Sequence, residues 1–314
     1  MFTTAGMLFF YCETPLHAGS GSNISHVDLP LQRERHTDYP IVQASGVKGA
    51  CRDWAESLYR DQAEKMAEIT FVFGPEDNKA SDHSGTVAFT DAQILLFPVR
   101  SFVGGFAWLT CPRVLDRLRR KLAMINATEG LWPEIAAVGP AEGQVWASNR
   151  CRLLHNDLII LEDLAVQVDR AGEQVVQDLA DWLAQQALPQ SSAYAYIRQR
   201  LPESLLVVAN DLFQDFVRLS TEIVTRIRIG ETGTVETGAL WSQELLLTDT
   251  VLYSLVLAKD LKVNGRHQKA EASLQFIADL VQAGKILQMG GDETVGRGLV
   301  RPHFWIPTSQ GGAA

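Results

Sequence analysis

The sequence has no apolar run long enough to cross a bilayer, which excludes a membrane-spanning helix. Its start, Met1 to Gly6, lacks the basic stretch that opens a secretory signal, so the expected location is the cytoplasm. Cysteine is scarce. Cys12, Cys51, Cys111 and Cys151 lie far apart and form no Cys-x-x-Cys pair. This spacing excludes the common zinc and redox motifs and a disulfide framework, and it leaves four reduced thiols, mostly in a core. Positive charge is also short: 28 Lys and Arg face 37 Asp and Glu, for a net charge of −9 and a pI near 5.3. Such a total excludes a uniformly basic nucleic-acid coat but leaves room for a local basic track. There is no fixed-period repeat and no Pro/Gly/Ser linker; the one biased segment, Ser309 to Ala314, is expected to fray.

What is present is ordinary for a globular chain. Of 314 residues, 46% are hydrophobic and 21% charged, enough for one large domain or two modest ones. Met7 to Glu13 reads as a buried strand, and Leu16 to Pro40 as a long irregular loop. Ser45 is placed to cap a helix reaching Met66, with Val47, Cys51, Trp54 and Leu58 on one face. Val87 to Val99 reads as extended, broken near Asp91, and Pro112 opens a basic helix striped by Val114, Leu115, Leu118 and Leu122. Strands are expected at Leu158–Val168, Leu205–Ala209, Glu222–Ile229, Leu245–Leu257, Ile286–Met289 and Leu299–Ile306. Helices are expected at Gln174–Gln186, Asp211–Leu219 and Ala270–Val281. The mixture predicts an α+β fold around a mainly antiparallel sheet.

Four segments carry candidate chemistry. Gly290 to Gly298 is a glycine turn that either cradles a phosphate or simply reverses the chain; Arg297 and Arg301 favour phosphate. It is no Walker A loop, lacking Gly-Lys-Ser/Thr, and no dinucleotide fingerprint, since a strand follows. The loop from Leu16 to Glu34 holds His17, His26, Asp28 and Arg33. An aspartate there suits orienting a 2′-hydroxyl or holding a divalent ion, although spacing alone favours a solvated loop in which it caps a turn. Lys48 and Arg52, four apart on one helix, either follow a phosphate backbone or form a solvated face. Glu231 to Trp241 reads as a projecting hairpin whose Leu240 and Trp241 either wedge between bases or anchor it to the core.

Taken in order, these segments resemble the RAMP superfamily of CRISPR-Cas proteins, and within it the multi-copy backbone subunit of the type III-B (Cmr) effector complex. The resemblance rests on Leu16–Gly21 (LHAGSG), Val27–Arg35 (VDLPLQRER), Gly46–Arg52 (GVKGACR), Phe97–Ser101 (FPVRS), Leu219–Arg228 (LSTEIVTRIR), Gly233–Trp241 (GTVETGALW) and Gly290–Arg301 (GGDETVGRGLVR). It departs after Trp241, where Ser242, Gln243 and Glu244 replace an aromatic residue and a pair of acids.

The resemblance implies a single RAMP domain over residues 1–314, with an RRM-like (ferredoxin-like) core. Insertions at about 16–44, 70–200 and 230–244 would form a catalytic loop, a lid and a thumb hairpin. It implies copies stacked head to tail along a guide crRNA, with other Cmr subunits and a single-stranded target RNA as further partners and no membrane. Target cleavage is expected at regular intervals by 2′-hydroxyl attack, leaving a cyclic phosphate and needing a divalent ion such as magnesium or manganese. Asp28 matches the carboxylate for this step and is a candidate ligand for the ion. His17, Lys48, Arg52, Thr294 and Arg297 are implied RNA contacts, and Thr234, Val235, Leu240 and Trp241 belong to the thumb. The alternatives are a scaffold that binds guide without cutting, and a stand-alone guide-processing endoribonuclease, for which His17 is the candidate histidine.

Overall fold

The computed structural model describes every residue except 23–26, 76–82, 133–138, 264 and 308–314. His26 and the terminal Ser309–Ala314 therefore lie outside the described residues. Strand β1 (Thr4–Cys12) is buried from Gly6 onward, as its unbroken apolar run requires. A short β2 (Ile41–Val42) leads into α1 (Ala44–Leu58), which buries Val47, Cys51 and Ala55. The single helix expected to Met66 is in fact two. Arg60 to Glu64 all face solvent, so no packed stripe carries the first helix across, and α2 (Ala63–Phe73) starts afresh. Ser45 is not the cap either. Gln43 holds that place, and the Ala44 N–H donates to the Asp91 carboxylate at 2.8 Å.

Asp91 also marks the break between β3 (Val87–Phe89) and β4 (Ala92–Ser101). Then come β5 (Gly105–Thr110), α3 (Pro112–Met124), β6 (Gln144–Ala147), β7 (Leu158–Leu161) and β8 (Leu164–Val168). The last two were expected as one strand. Glu162, at φ 49°, folds them into a hairpin. Next are α4 (Glu173–Gln186), α5 (Ala195–Ser204), β9 (Leu205–Val208) and α6 (Asn210–Leu219). The hairpin strands β10 (Glu222–Ile229) and β11 (Val235–Leu245) form a separate two-stranded sheet. The run expected from Leu245 to Leu257 is interrupted, and β12 (Val251–Ala258) is a separate strand. The chain continues through β13 (Leu261–Val263), β14 (Arg266–Gln268), α7 (Ala270–Gly284), β15 (Leu287–Gln288) and β16 (Leu299–Trp305).

The fold is mixed α+β, and its main sheet has two unlike halves. In one, β15, β16, β1, β12 and β4 lie side by side, every pair antiparallel. In the other, β4, β5, β9, β6, β8 and β7 form a six-stranded ring, closed where Ser101 of β4 meets Leu161 of β7. Two pairs in the ring, β5–β9 and β6–β8, are parallel. The expected antiparallel character thus holds throughout the first half and for the other four pairs of the ring, whereas these two pairs make the sheet mixed. Between β5 and β9 the chain passes through helices α3, α4 and α5, and long helical connections of this kind permit parallel pairing. Cys12, Cys51 and Cys111 are buried free thiols; burial pushes Cys51 up to about 12. Among the described residues no helix is long and apolar enough to cross a membrane.

Candidate nucleic-acid interface

The loop after β1 has few regular dihedrals, but its described parts are well bonded. Its start is bridged to the chain after β11: the Leu16 N–H donates to the Leu246 carbonyl at 2.9 Å, and the Leu246 N–H returns to Leu16 at 2.8 Å. Farther on, the Leu29 N–H donates to the Ser242 carbonyl at 3.1 Å, and the Glu244 N–H donates to Leu29 at 3.0 Å. The loop also pairs with itself, Ser20 with Pro30 and Gln32 with Ala18. The edge of β11 is thereby covered.

Asp28 sits in this seam and is exposed. Its Oδ2 accepts the Ser242 N–H at 2.7 Å and the Ser242 hydroxyl at 2.8 Å, while its own N–H donates to Ser242 Oγ at 3.0 Å. The Ser242 N–H, followed by its hydroxyl, holds the Asp28 carboxyl below the ordinary aspartate value, because both donors favour the anion. Oδ1 has no hydrogen-bond partner among the described residues.

His17 is buried. Its Nδ1 donates to the Glu244 carbonyl at 2.8 Å, and its own carbonyl accepts the Gly291 N–H at 2.9 Å. This places it as the joint between loop, hairpin and glycine turn rather than on the open surface. The turn needs its glycines for two reasons. Gly290 and Gly298 have φ of +79° and +72°, and a Cβ on Gly290 would stand 2.3 Å from the His17 carbonyl oxygen. The left-handed Asp292 anchors the turn: its carboxylate meets Arg226 at 2.8 Å and Gln243 at 2.5 Å. Burial raises the Asp292 carboxyl, but these partners outweigh it and hold the carboxyl low. Arg226, Gln243, Val224, Val295 and Arg297 line a cavity of about 140 Å³ between hairpin and turn. Thr294 is exposed beside it.

The hairpin register gives it two faces. Val224, Arg226, Trp241 and Gln243 share the face toward the glycine turn, with the Arg226 guanidinium 5.9 Å from the Trp241 ring. Ile223, Ile227, Leu240 and Ser242 share the opposite face with Asp28. There Ile223, Ile227 and Leu240 are 58%, 48% and 64% exposed. Thr234 and Val235 lie exposed at the tip.

Lys48 and Arg52 stand on α1, outside this bonded constellation. Arg52 is engaged by Glu56 at 2.7 Å and by the Gly74 and Pro75 carbonyls at 3.1 and 3.4 Å. Lys48 is half-buried and has no ion pair among the described residues; burial, then Arg52 and Lys259, push its pKa down. Among the described residues no three His, Cys, Asp or Glu side chains converge on a metal site. The sequence reading missed Arg226, Ser242, Gln243, Glu244 and Asp292 as the residues that assemble the site. The departure after Trp241 was the signal for Ser242, Gln243 and Glu244, while Arg226 and Asp292 lay within the quoted motifs Leu219–Arg228 and Gly290–Arg301.

A model of the RAMP superfamily matches residues 9–301, and the chain belongs to that superfamily. It is 35% identical over 313 residues to the CRISPR system Cmr endoribonuclease Cmr4 of Pyrococcus furiosus, covering 98% of each chain. It is 26% identical over 317 residues to the CRISPR system CMR subunit Cmr4 of Saccharolobus solfataricus, covering 95% of this chain and 96% of that one. Among solved structures, oligomeric Cmr4 from Pyrococcus furiosus superposes with a TM-score of 0.70 at 26% identity, over 98% of this chain and 100% of that chain.

Proposed function

We propose that this chain is a backbone subunit of a type III-B RNA-guided effector complex, binding guide RNA in repeated copies and cutting target RNA with Asp28. The observation that carries the reading is an exposed carboxylate, held as the anion by Ser242 with one oxygen unpartnered among the described residues, at the foot of a hairpin whose apolar side chains are exposed. Similarity to a relative named an endoribonuclease and to a structure described as oligomeric supports it. The strand order β16-β1-β12-β4, with α1 between β1 and β4 and α7 between β12 and β16, supports an RRM-like core. The segments at about 16–44, 70–200 and 230–244 are then its insertions in one domain.

In this reading Ile227 and Leu240 displace a base from the guide–target duplex, and the unstacked nucleotide turns its 2′-hydroxyl toward Asp28. Oδ1 accepts the hydroxyl hydrogen bond and aligns the oxygen with the adjacent phosphorus. The O2′–P bond forms and the P–O5′ bond breaks. The 2′ proton passes to solvent and the departing O5′ takes a proton from water, leaving a cyclic phosphate. Asp28, kept as the anion by the two Ser242 donors, contributes orientation and charge at the hydroxyl. A divalent ion fits this donor set, since magnesium commonly takes one or two carboxylates plus phosphate oxygens and water; Asp28 Oδ1 is the protein oxygen that would hold it. When bound, the ion would neutralise charge developing on the phosphate. His17, Arg297, Thr294, Lys48 and Arg52 frame or contact the RNA.

The test is target cleavage by the assembled complex with Asp28→Ala in every copy, guide and divalent ion present. Regularly spaced products should vanish while target binding persists. Persistence of the products would make the subunit a scaffold and ruler.

A further inference from the structure

We infer that Ser242 is a positioning residue for Asp28, and that through it the hairpin dictates where the carboxylate points. The inference rests on the cleavage role proposed for Asp28. Three contacts link the two residues reciprocally: two donors from Ser242 converge on Oδ2, and the Asp28 N–H returns to Ser242 Oγ. An exposed aspartate ordinarily samples several rotamers. Here one oxygen is occupied by the hairpin strand itself, while the other has no hydrogen-bond partner among the described residues.

The hydroxyl is not what docks the loop. The backbone bonds of Leu29 to Ser242 and Glu244 hold the seam, and Arg33 and Glu244 pin it farther along. Removing the hydroxyl therefore leaves these bonds and the Ser242 N–H on Oδ2 in place, takes the acceptor from the Asp28 N–H, and frees the carboxylate to turn about its one remaining donor. The same strand face carries Leu240, opposite Ile227, the two side chains that meet the displaced nucleotide in the reading above. Ser242 thus ties the wedge and the carboxylate to one rigid β-strand, so that the nucleotide unstacked by the hairpin is the one presented to Oδ1.

The experiment compares complexes carrying wild-type chain, Ser242→Ala, Ser242→Thr, Asp28→Ala and the Asp28→Ala/Ser242→Ala pair in every copy. Single-turnover cleavage at saturating target RNA and target affinity are both measured. Ser242→Ala should slow cleavage by about ten-fold or more, the scale of losing a charge-assisted hydrogen bond at a reacting centre, with affinity within about two-fold of wild type. Ser242→Thr, which keeps a hydroxyl at a strand position, should restore most of the rate. The double variant should cleave no more slowly than Asp28→Ala alone.

Wild-type cleavage by Ser242→Ala beside an inactive Asp28→Ala would overturn the role of Ser242 and leave that of Asp28 standing. Parallel loss of cleavage and affinity, or no rescue by threonine in a complex that still assembles, would make Ser242 merely structural. Full cleavage by Asp28→Ala would remove the underlying reading as well.

Discussion

Arg33 and Glu244 lie 2.5 Å apart with side chains 19% and 8% exposed, joining the loop after β1 to the second strand of the hairpin. The Glu244 carboxylate also accepts the Leu31 N–H at 2.9 Å and the Thr221 hydroxyl at 2.8 Å. Arg33 in turn donates to the carbonyls of Asp38 and Val217, at 2.6 and 3.0 Å. Breaking such a pair from one side strands the other charge. Glu244→Ala should therefore cost about 3 kcal/mol in chemical denaturation, and Arg33→Ala a similar amount. The double variant should cost clearly less than the sum; simple additivity would show that the pair is not coupled.

The same carboxylates set the acid response. Burial raises Glu244, but Arg33, the Leu31 N–H and Thr221 outweigh it and hold it below the ordinary glutamate value. Burial likewise raises Glu34, while Thr37, Arg117 and Gln93 bring it down. A depressed folded pKa means stability that is present above the unfolded value, about 4.3, and lost as pH falls through the folded one. Thermal midpoints should therefore fall steeply below about pH 4 from these groups. Glu244→Gln should flatten that limb; an unchanged limb would count against the assignment.

Two glycines of the same turn should respond differently to alanine. Gly296 and Gly298 both have positive φ, +75° and +72°. A Cβ on Gly296 meets nothing within 4 Å, whereas one on Gly298 would stand 2.0 Å from the Met289 carbonyl oxygen. Gly296→Ala should cost about 1 kcal/mol, the left-handed strain alone. Gly298→Ala should cost about 1–3 kcal/mol more, from the backbone clash. Equal losses in a denaturant titration would refute the distinction.

Lys48 has the opposite signature, a half-buried cation beside Arg52 and Lys259 with no acid of its own among the described residues. Lys48→Ala should leave stability unchanged or raised. In guide-RNA binding across a salt series it should weaken affinity and reduce the log–log slope by about 0.7, one phosphate contact to a single strand. An unaltered slope would remove Lys48 from the RNA track.

On the hairpin, Ile227→Ser with Leu240→Ser should change stability by less than about 0.5 kcal/mol per site, because both side chains are exposed. Target cleavage should nevertheless drop as base displacement fails. Stability loss with normal cleavage would mean that these residues pack rather than wedge.

Local pattern alone determined β1, the basic helix α3 and most of α7, the strand from its unbroken apolar run and the helices from a buried stripe at helical spacing. The ordered motifs pointed to the RAMP superfamily without any structure. Local spacing could not determine that α1 stops at Leu58, because helix length there depends on whether a packed face continues. Nor could it reveal the ring closing at Ser101 and Leu161, a single contact between distant strands. The tertiary structure also decided the surroundings of the candidate residues: Asp28 meets Ser242 across a separation of 214 positions, and His17 is buried against Glu244 across 227. A hydrogen bond between residues so distant leaves no trace in the periodicity of either segment. The motif resemblance therefore singled out the aspartate, while the folded chain decided which of its oxygens Ser242 engages.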